Sequence, residues 1–214
     1  RETSGNALFV REMLGHLREI GSLARDDGAW RTPTDIDSLK VPDRVQDVIG
    51  QRLRNLSEPT AQLLTVAAVL GPEFSLPVLQ DVTSADEDTL LESLDEALAA
   101  RFIIETDDAD RFVFAHAVVR TAIYSQLSLS RRARHHAKVG AALEAMHANE
   151  IPRVAAELSF HFREAGLLDK ADKARRYARI AGEEALARLA FEDAARLFGD
   201  ALADRNGESV SGTE

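Results

Sequence analysis

Helical spacing of apolar residues runs through most of this chain and is interrupted near the middle by two short β-rich runs. The interruption is "RFIIETDDADRFVF", residues 101–114, where an acidic turn separates runs of aromatic and β-branched residues. The helical spacing resumes in "HAVVRTAIYSQL". This pattern predicts a mainly all-α protein that contains a small β-hairpin.

The order of the predicted elements divides the chain into segments. Residues 1–55 are expected to form a helical lid segment with a short hairpin, and residues 56–129 have three helices followed by a hairpin, which is the winged-helix order. Residues 130–205 are predicted to form antiparallel, alanine-rich helices similar to tetratricopeptide (TPR) repeats. Residues 206–214 have no apolar anchor and are predicted to be a disordered tail.

Local signals refine the first half of the chain. A helix is predicted over residues 4–21 with Ser4 or Asn6 as its cap, and a hairpin is predicted around the Asp27-Gly28 pair. A second helix is expected to start at Pro42, with its apolar stripe at Val45, Val48, Ile49 and Leu53. In the winged-helix segment, Ser57 is the predicted cap of a helix with Pro59 in its first turn and Gly71 at its end.

The later helices are predicted from the spacing of small and apolar residues. Ser130 is the expected cap of a helix with alanines at helical spacing. The predicted stripes of the three helices are Ala137, Ala141 and Ala145; then Val154, Leu158, Phe162 and Ala165; then Ala171, Ala174, Ala178, Ala181 and Ala185. Small residues of this kind let neighbouring helices approach closely.

Charge is distributed unevenly within a net charge of −10. Residues 86–110 contain ten acids and one base, Arg101, whereas residues 111–140 contain six bases and no acid. Either these blocks are solvated faces that attract each other within the fold, or the basic block faces an anion. The predicted third helix of the winged-helix segment carries six acids and no base, so DNA binding through this region is disfavoured.

Motifs of catalysis and metal binding are absent from the sequence. The chain has no Cys, no Gly-Lys dipeptide of a phosphate loop, no Gly-x-Gly and no His-Glu-x-x-His. His135 and His136 diverge by about 100° on a helix, and His161 is expected to be a packing or rim histidine. We therefore predict no catalytic residues, no metal site and no enzyme activity for this chain. No apolar run approaches the roughly 20 residues of a membrane span, and a cytoplasmic location is expected.

Two motifs resemble those of STAND-class signalling ATPases. "TSGNALFVREML", residues 3–14, resembles the "GLPL"-like motif that follows the nucleotide-binding core, and "FVFAHAVVRTAIY", residues 112–124, resembles the "MHD"-like motif of the winged-helix domain. The stretch from Val41 to Phe74 is similar to the linking helix and the start of that domain. The resemblance covers residues 1–205. It points to large ATP-binding LuxR-type regulators and to class III adenylate cyclases with an appended ATPase-like region.

The resemblance implies a regulatory role for this chain. The phosphate loop is expected upstream, so the chain itself holds no cofactor, while ADP in the intact protein fixes the inactive state until ATP and an inducer release it. The residues implied to contact nucleotide are Asn6, Ala7, His116 and Arg120. Ala7 stands where the first motif has proline, and Ala117 stands where the second has aspartate, so only His116 carries over from "MHD". His116 is expected to reach the β-phosphate of ADP, or else to be a corner residue packed beside Phe114 and Val119.

The expected partners are an upstream nucleotide-binding core in the same protein and a protein or small-molecule inducer at the helical repeats. An effector domain outside this chain would then carry out signal transduction or transcription regulation. The alternative is a protein-interaction module of helical repeats with no nucleotide role. A DNA-binding winged helix is a third hypothesis.

Overall fold

A computed structural model describes residues 24–26, 29–31, 43–108, 110–168 and 170–203. The described residues are mostly helical, with a small three-stranded antiparallel sheet and a separate two-stranded one, which confirms the expected fold class at this level. They fall into two compact units: the described parts of residues 1–76 with 85–126, and the described parts of residues 77–84 with 127–214.

The elements follow one another along the chain as short strands and helices of 8 to 18 residues. In chain order they are β1 Ala24–Asp26, β2 Ala29–Arg31, α1 Asp43–Arg54, α2 Glu58–Leu70, β3 Glu73–Ser75, α3 Leu76–Thr83, α4 Glu87–Ala99, β4 Ile103–Glu105, β5 Arg111–Phe114, α5 Ala117–Ser125, α6 Leu129–Met146, α7 Ile151–Glu164, α8 Ala171–Ala187 and α9 Phe191–Ala203. A short 3₁₀ turn, Gly166–Leu168, follows α7.

Strands β1 and β2 pair antiparallel on either side of residues 27 and 28, with Asp26 opposite Ala29. This antiparallel pairing confirms the hairpin predicted around the Asp-Gly pair. The helix predicted over residues 4–21 and the predicted disordered tail lie outside the described residues.

Helix α1 confirms part of its predicted apolar stripe: Ile49 is fully buried and Leu53 is half-buried. The side chains of Val45 and Val48 lie outside the described residues. Arg52 donates a 2.6 Å hydrogen bond to the carbonyl of Ala100, just past the end of α4. Since the last carbonyls of a helix have no partner within it, this guanidinium attaches α1 to the end of α4.

The start of α2 is fixed by a carboxylate from α4. Ser57 caps α2 by accepting from the backbone N–H of Thr60, as predicted, and the helix ends at Gly71, whose φ of 153° suits glycine. Glu96 accepts from the N–H of Ser57 at 3.0 Å, from its hydroxyl at 2.6 Å and from the hydroxyl of Thr60, which is fully buried. These hydrogen bonds, that of the Ser57 hydroxyl above all, hold the pKa of Glu96 below its usual value.

The three-stranded sheet has β5 at its centre, with β3 and β4 antiparallel on either side. The β4–β5 pairing confirms the predicted hairpin, whereas β3 is an additional strand. Phe74, Phe112 and Phe114 are buried, and the ring of Phe74 lies 6.0 Å from that of Phe112 and 5.7 Å from that of Phe114. This aromatic contact gives the small sheet its own apolar face.

The cap predicted for α6 is wrong. The helix begins at Leu129, and Ser128 rather than Ser130 accepts from the backbone N–H of Arg131. The alternation Ser-Leu-Ser offers two candidate caps two residues apart, and the sequence alone does not distinguish them. The buried stripe of α6 also differs from the alanines at 137, 141 and 145; it consists of Ala133, His136, Val139, Gly140, Ala142 and Leu143.

Helices α7 and α8 confirm most of their predicted stripes. Leu158, Phe162 and Ala165 are buried around α7, and Ala174, Ala178 and Ala181 are buried on α8. Residues 188–190 connect α8 directly to α9, so the two packed helices form an antiparallel hairpin. None of the described helices is both long and apolar enough to cross a membrane.

Candidate functional site

His116 lies where the sheet passes into α5, as the motif predicts. It is the N-cap residue of α5 with extended φ and ψ of −148° and 136°, and its carbonyl accepts from the N–H of Val119 at 3.0 Å. The preceding residue, Ala115, donates its N–H to the carbonyl of Phe102 at 2.9 Å. The imidazole makes no capping hydrogen bond and is half-buried. The backbone therefore fixes the position of this side chain at the helix start.

Arg120 lies one helical turn after His116, on the same side of α5. Its Nε donates a 3.0 Å hydrogen bond to the carbonyl of Ala68 in the last turn of α2. Arg120 is half-buried. The structure thus brings together two of the four residues predicted to contact nucleotide, and it gives Arg120 a structural contact that the sequence did not indicate.

Asn6 and Ala7, the other two predicted contacts, lie outside the described residues. Whether all four residues share one site is therefore still a prediction.

Arg111 belongs to the basic block of the sequence, but acids of its own unit neutralise it. Its guanidinium forms 2.7 Å ion pairs with Glu73 on the neighbouring strand and with Asp108 in the β4–β5 turn. The hydrogen bond and charge of Glu73, followed by the charge of Asp108, raise the pKa of Arg111. The charge of Arg111 is thus largely offset at the sheet edge.

The surface that a winged helix would present to DNA is acidic here. Glu87, Asp88, Glu92 and Asp95 are exposed on α4, and Asp107 and Asp108 are exposed in the β4–β5 turn. Phosphate contacts require Lys and Arg, so this arrangement repels a polyanion.

A buried histidine pair in the second unit was not predicted. His136 on α6 and His161 on α7 are each 1% exposed, and their Nδ1 atoms lie 2.9 Å apart. The ring of Phe160 meets the ring of His136 edge-on at 5.5 Å between centroids. His161 is therefore a packing histidine, which is one of the two roles expected from the sequence. Its contact with His136 was not predicted, because the two residues are 25 positions apart in the chain. The described residues contain no group of three metal-ligating side chains.

A second polar cluster connects α6 to α8. Glu144 accepts from Lys173 at 2.6 Å and from the hydroxyl of Tyr177. Burial, followed by the hydrogen bond to Glu144, raises the pKa of Tyr177 to about 12. For Glu144, burial raises the pKa, but the hydrogen bonds from Lys173 and Tyr177 outweigh it and leave the pKa below its usual value. This cluster joins α6 to α8 through hydrogen bonds and an ion pair.

Comparison of the chain with protein-family models, with curated proteins and with solved structures finds no match.

Proposed function

We propose that this chain is the regulatory part of a STAND-type, ATP-dependent signalling or transcriptional regulator. It supplies the helical lid, a winged-helix arm and the start of a TPR-like sensor, and it couples nucleotide state and inducer binding to an effector domain outside this chain. A nucleotide-binding core upstream holds ATP or ADP, and the arm contacts that nucleotide.

The observation that carries the proposal is the position of His116 at the start of α5, directly after the central strand of the sheet. The first N–H groups of a helix lack intrahelical partners, and the helix dipole favours an anion there. An imidazole at this point can donate one hydrogen bond to a phosphate oxygen. Arg120, one turn later, supplies a cation on the same side of the helix.

The element order supports the finer description of the fold. In chain order, α2, α3 and α4 precede the β4–β5 hairpin, and β3 adds a third strand beside β5, as in a winged helix, although most of α3 groups with the second unit. The helices from α7 to α9 are joined by short connections, which is typical of TPR-like hairpins.

The test uses the intact protein, in which the nucleotide-binding core precedes this chain. His116→Ala should raise the dissociation constant for ADP about tenfold, because one hydrogen bond to a charged phosphate is lost. The ADP retained through purification and the basal signalling output are both measured. Retention falls and basal output rises, while the melting temperature of the isolated 214-residue chain barely changes.

The matched control is His147→Ala, which removes a histidine from the C-cap of α6. It should leave ADP retention at the wild-type level. If the His116→Ala protein also retained wild-type ADP affinity and basal output, His116 would have no role in nucleotide binding and would be only a packing residue at the strand-to-helix corner.

The second candidate function is an interaction module of helical repeats with no nucleotide role. It is favoured by apolar side chains at the α8–α9 connection, where Leu189 is 71% exposed and Phe191 is 62% exposed. Under this alternative, a protein or small-molecule partner binds the helices, and the His116 variant leaves both readouts unchanged.

A further inference from the structure

Helix α6 carries a face of exposed cations. Arg131, Arg134 and Lys138 are all exposed and lie within about 60° of one another around the helix axis. His135, beside them, does not add to the charge: burial, followed by the positive charges of Lys138 and Arg131, lowers its pKa. The exposed side chain of Leu129 lies at the start of the same helix. We call Arg131, Arg134 and Lys138 the basic face.

The basic face differs from the cationic surfaces of the following helices. There, most arginines and lysines form ion pairs within their own unit: Arg153–Glu150, Arg163–Asp200, Lys173–Glu144, Arg175–Asp172, Arg179–Glu183, Arg188–Glu184 and Arg196–Asp193. Within the described ranges, no carboxylate pairs with a side chain of the basic face. Glu144, the one acid of α6, accepts hydrogen bonds from Lys173 and Tyr177 instead.

Helix α4 carries a face of exposed acids. Asp88, Glu92 and Asp95 are exposed, share one side of the helix, and form no ion pair in the part of the chain that the structure describes. Leu91, between them, is 43% exposed. The helix contains no basic residue. We call Asp88, Glu92 and Asp95 the acidic face.

The charges of the two faces match in spacing when the helices run antiparallel. From Asp88 the next acids follow after four and then three residues; from Lys138, read backwards, Arg134 and Arg131 follow after four and then three residues. At about 1.5 Å per residue both sets lie at about 0, 6 and 10.5 Å along the helix. Asp88 would then meet Lys138, Glu92 would meet Arg134, and Asp95 would meet Arg131.

We propose that the acidic face of α4 in one copy of this chain docks antiparallel on the basic face of α6 in a second copy. The net charge of −10 makes two copies repel at long range, but salt screens that repulsion beyond a Debye length of about 10 Å at 0.1 M. Ion pairs in contact are screened less. Because exposed ion pairs contribute little individually, the association is weak and depends on all three pairs acting together.

Sedimentation velocity of the 214-residue chain tests the docking. Association should appear at high protein concentration in about 0.1 M salt and disappear near 1 M, where the Debye length is about 3 Å. Reversing the basic face (Arg131→Glu, Arg134→Glu, Lys138→Glu) should raise the dissociation constant at least about tenfold. Reversing the acidic face (Asp88→Lys, Glu92→Lys, Asp95→Lys) should have the same effect. Combining both reversals in one chain should restore association.

A matched control makes the same change of charge on other helices: Arg153→Glu, Arg179→Glu and Arg188→Glu, all exposed and none of them on α6. This triple variant should associate like the wild type, and far-ultraviolet circular dichroism verifies that every variant is folded. A wild type that stays monomeric in 0.1 M salt would overturn the proposal. So would association that survives reversal of the basic face, or a double reversal that fails to restore it.

Discussion

At the scale of single residues, Tyr177 combines an aromatic contact with a buried hydrogen bond. Its ring stacks on Phe162 at 5.7 Å between centroids, and its hydroxyl donates to Glu144. The residue is 2% exposed. A buried hydroxyl beside a carboxylate loses its proton only with difficulty, because the phenolate would be both desolvated and repelled.

We expect Tyr177 to make the stability of the chain sensitive to high pH. Its pKa is raised from 10.0 to about 12 in the folded state, so its contribution is complete below pH 10 and is lost as the pH rises towards 12. The loss amounts to about 2.7 kcal/mol at most. Urea unfolding at a series of pH values measures it. Tyr177→Phe should be about 1 kcal/mol less stable at pH 7, since the hydrogen bond is gone, and should lose less stability above pH 10.

Tyr124→Phe removes the other tyrosine hydroxyl of the chain and is the natural control. It should keep the alkaline loss of stability. Equal losses in the wild type and the Tyr177→Phe variant between pH 10 and 12 would assign the effect to other groups.

At the scale of elements, the sequence predicted the helices and helix ends that depend on interactions between neighbouring residues. Helical periodicity located α2 and the helices from α6 to α9, and Ser57 and Gly71 marked the ends of α2 because caps act on neighbouring N–H and C=O groups. Strand β3 was missed, since three residues between Gly71-Pro72 and α3 are too few to establish a strand periodicity; β5 supplies its hydrogen bonds from far along the chain.

Contacts between distant elements left no signal in the sequence. Glu96 reaches the cap of α2 from 39 residues away, and His136 meets His161 across 25 residues. In the candidate site, the strand-to-helix corner at His116 was predicted from the pattern switch, whereas the hydrogen bond of Arg120 to Ala68 was not. Such pairs depend on packing that periodicity does not encode.

The close contact between α6 and α7 depends on Gly140. A Cβ at this position would lie 3.0 Å from two ring carbons of Phe162, which is 1% exposed and stacked on Tyr177. The enclosed ring has little room to move. Gly140→Ala should therefore destabilise the chain by about 1–3 kcal/mol despite the better helix propensity of alanine. Thermal or urea unfolding measures the change.

Gly199→Ala on α9 is the matched control, because nothing lies within 4 Å of its added Cβ. Alanine in an unobstructed helix interior should stabilise the chain by up to about 1 kcal/mol. If both substitutions stabilised the protein, the Gly140–Phe162 contact would not limit the distance between α6 and α7.

At the scale of the whole molecule, charge is separated between elements while the net value stays negative. Acids cluster on α4 and in the β4–β5 turn, whereas α6 carries exposed cations and its one acid, Glu144, pairs with Lys173 of α8. The distribution decides which partners the surfaces accept, since exposed charges act over about one Debye length. A polyanion approaching through α4 meets carboxylates first.

We therefore expect no binding of duplex DNA through α4 at about 0.15 M salt beyond a weak, sequence-independent background. Fluorescence anisotropy with labelled duplexes of varied sequence measures it. Reversing the acidic face with Asp88→Lys, Glu92→Lys and Asp95→Lys adds cations where a winged helix enters the major groove, so this variant should bind duplex more tightly, with an affinity that falls steeply as salt rises. Lowering the salt to about 0.05 M should add little binding through α4, because this helix offers no cation for counterion release. A sub-micromolar, sequence-specific complex of the wild type that is lost when α4 is altered but kept when Arg131, Arg134 and Lys138 are replaced would contradict the expectation.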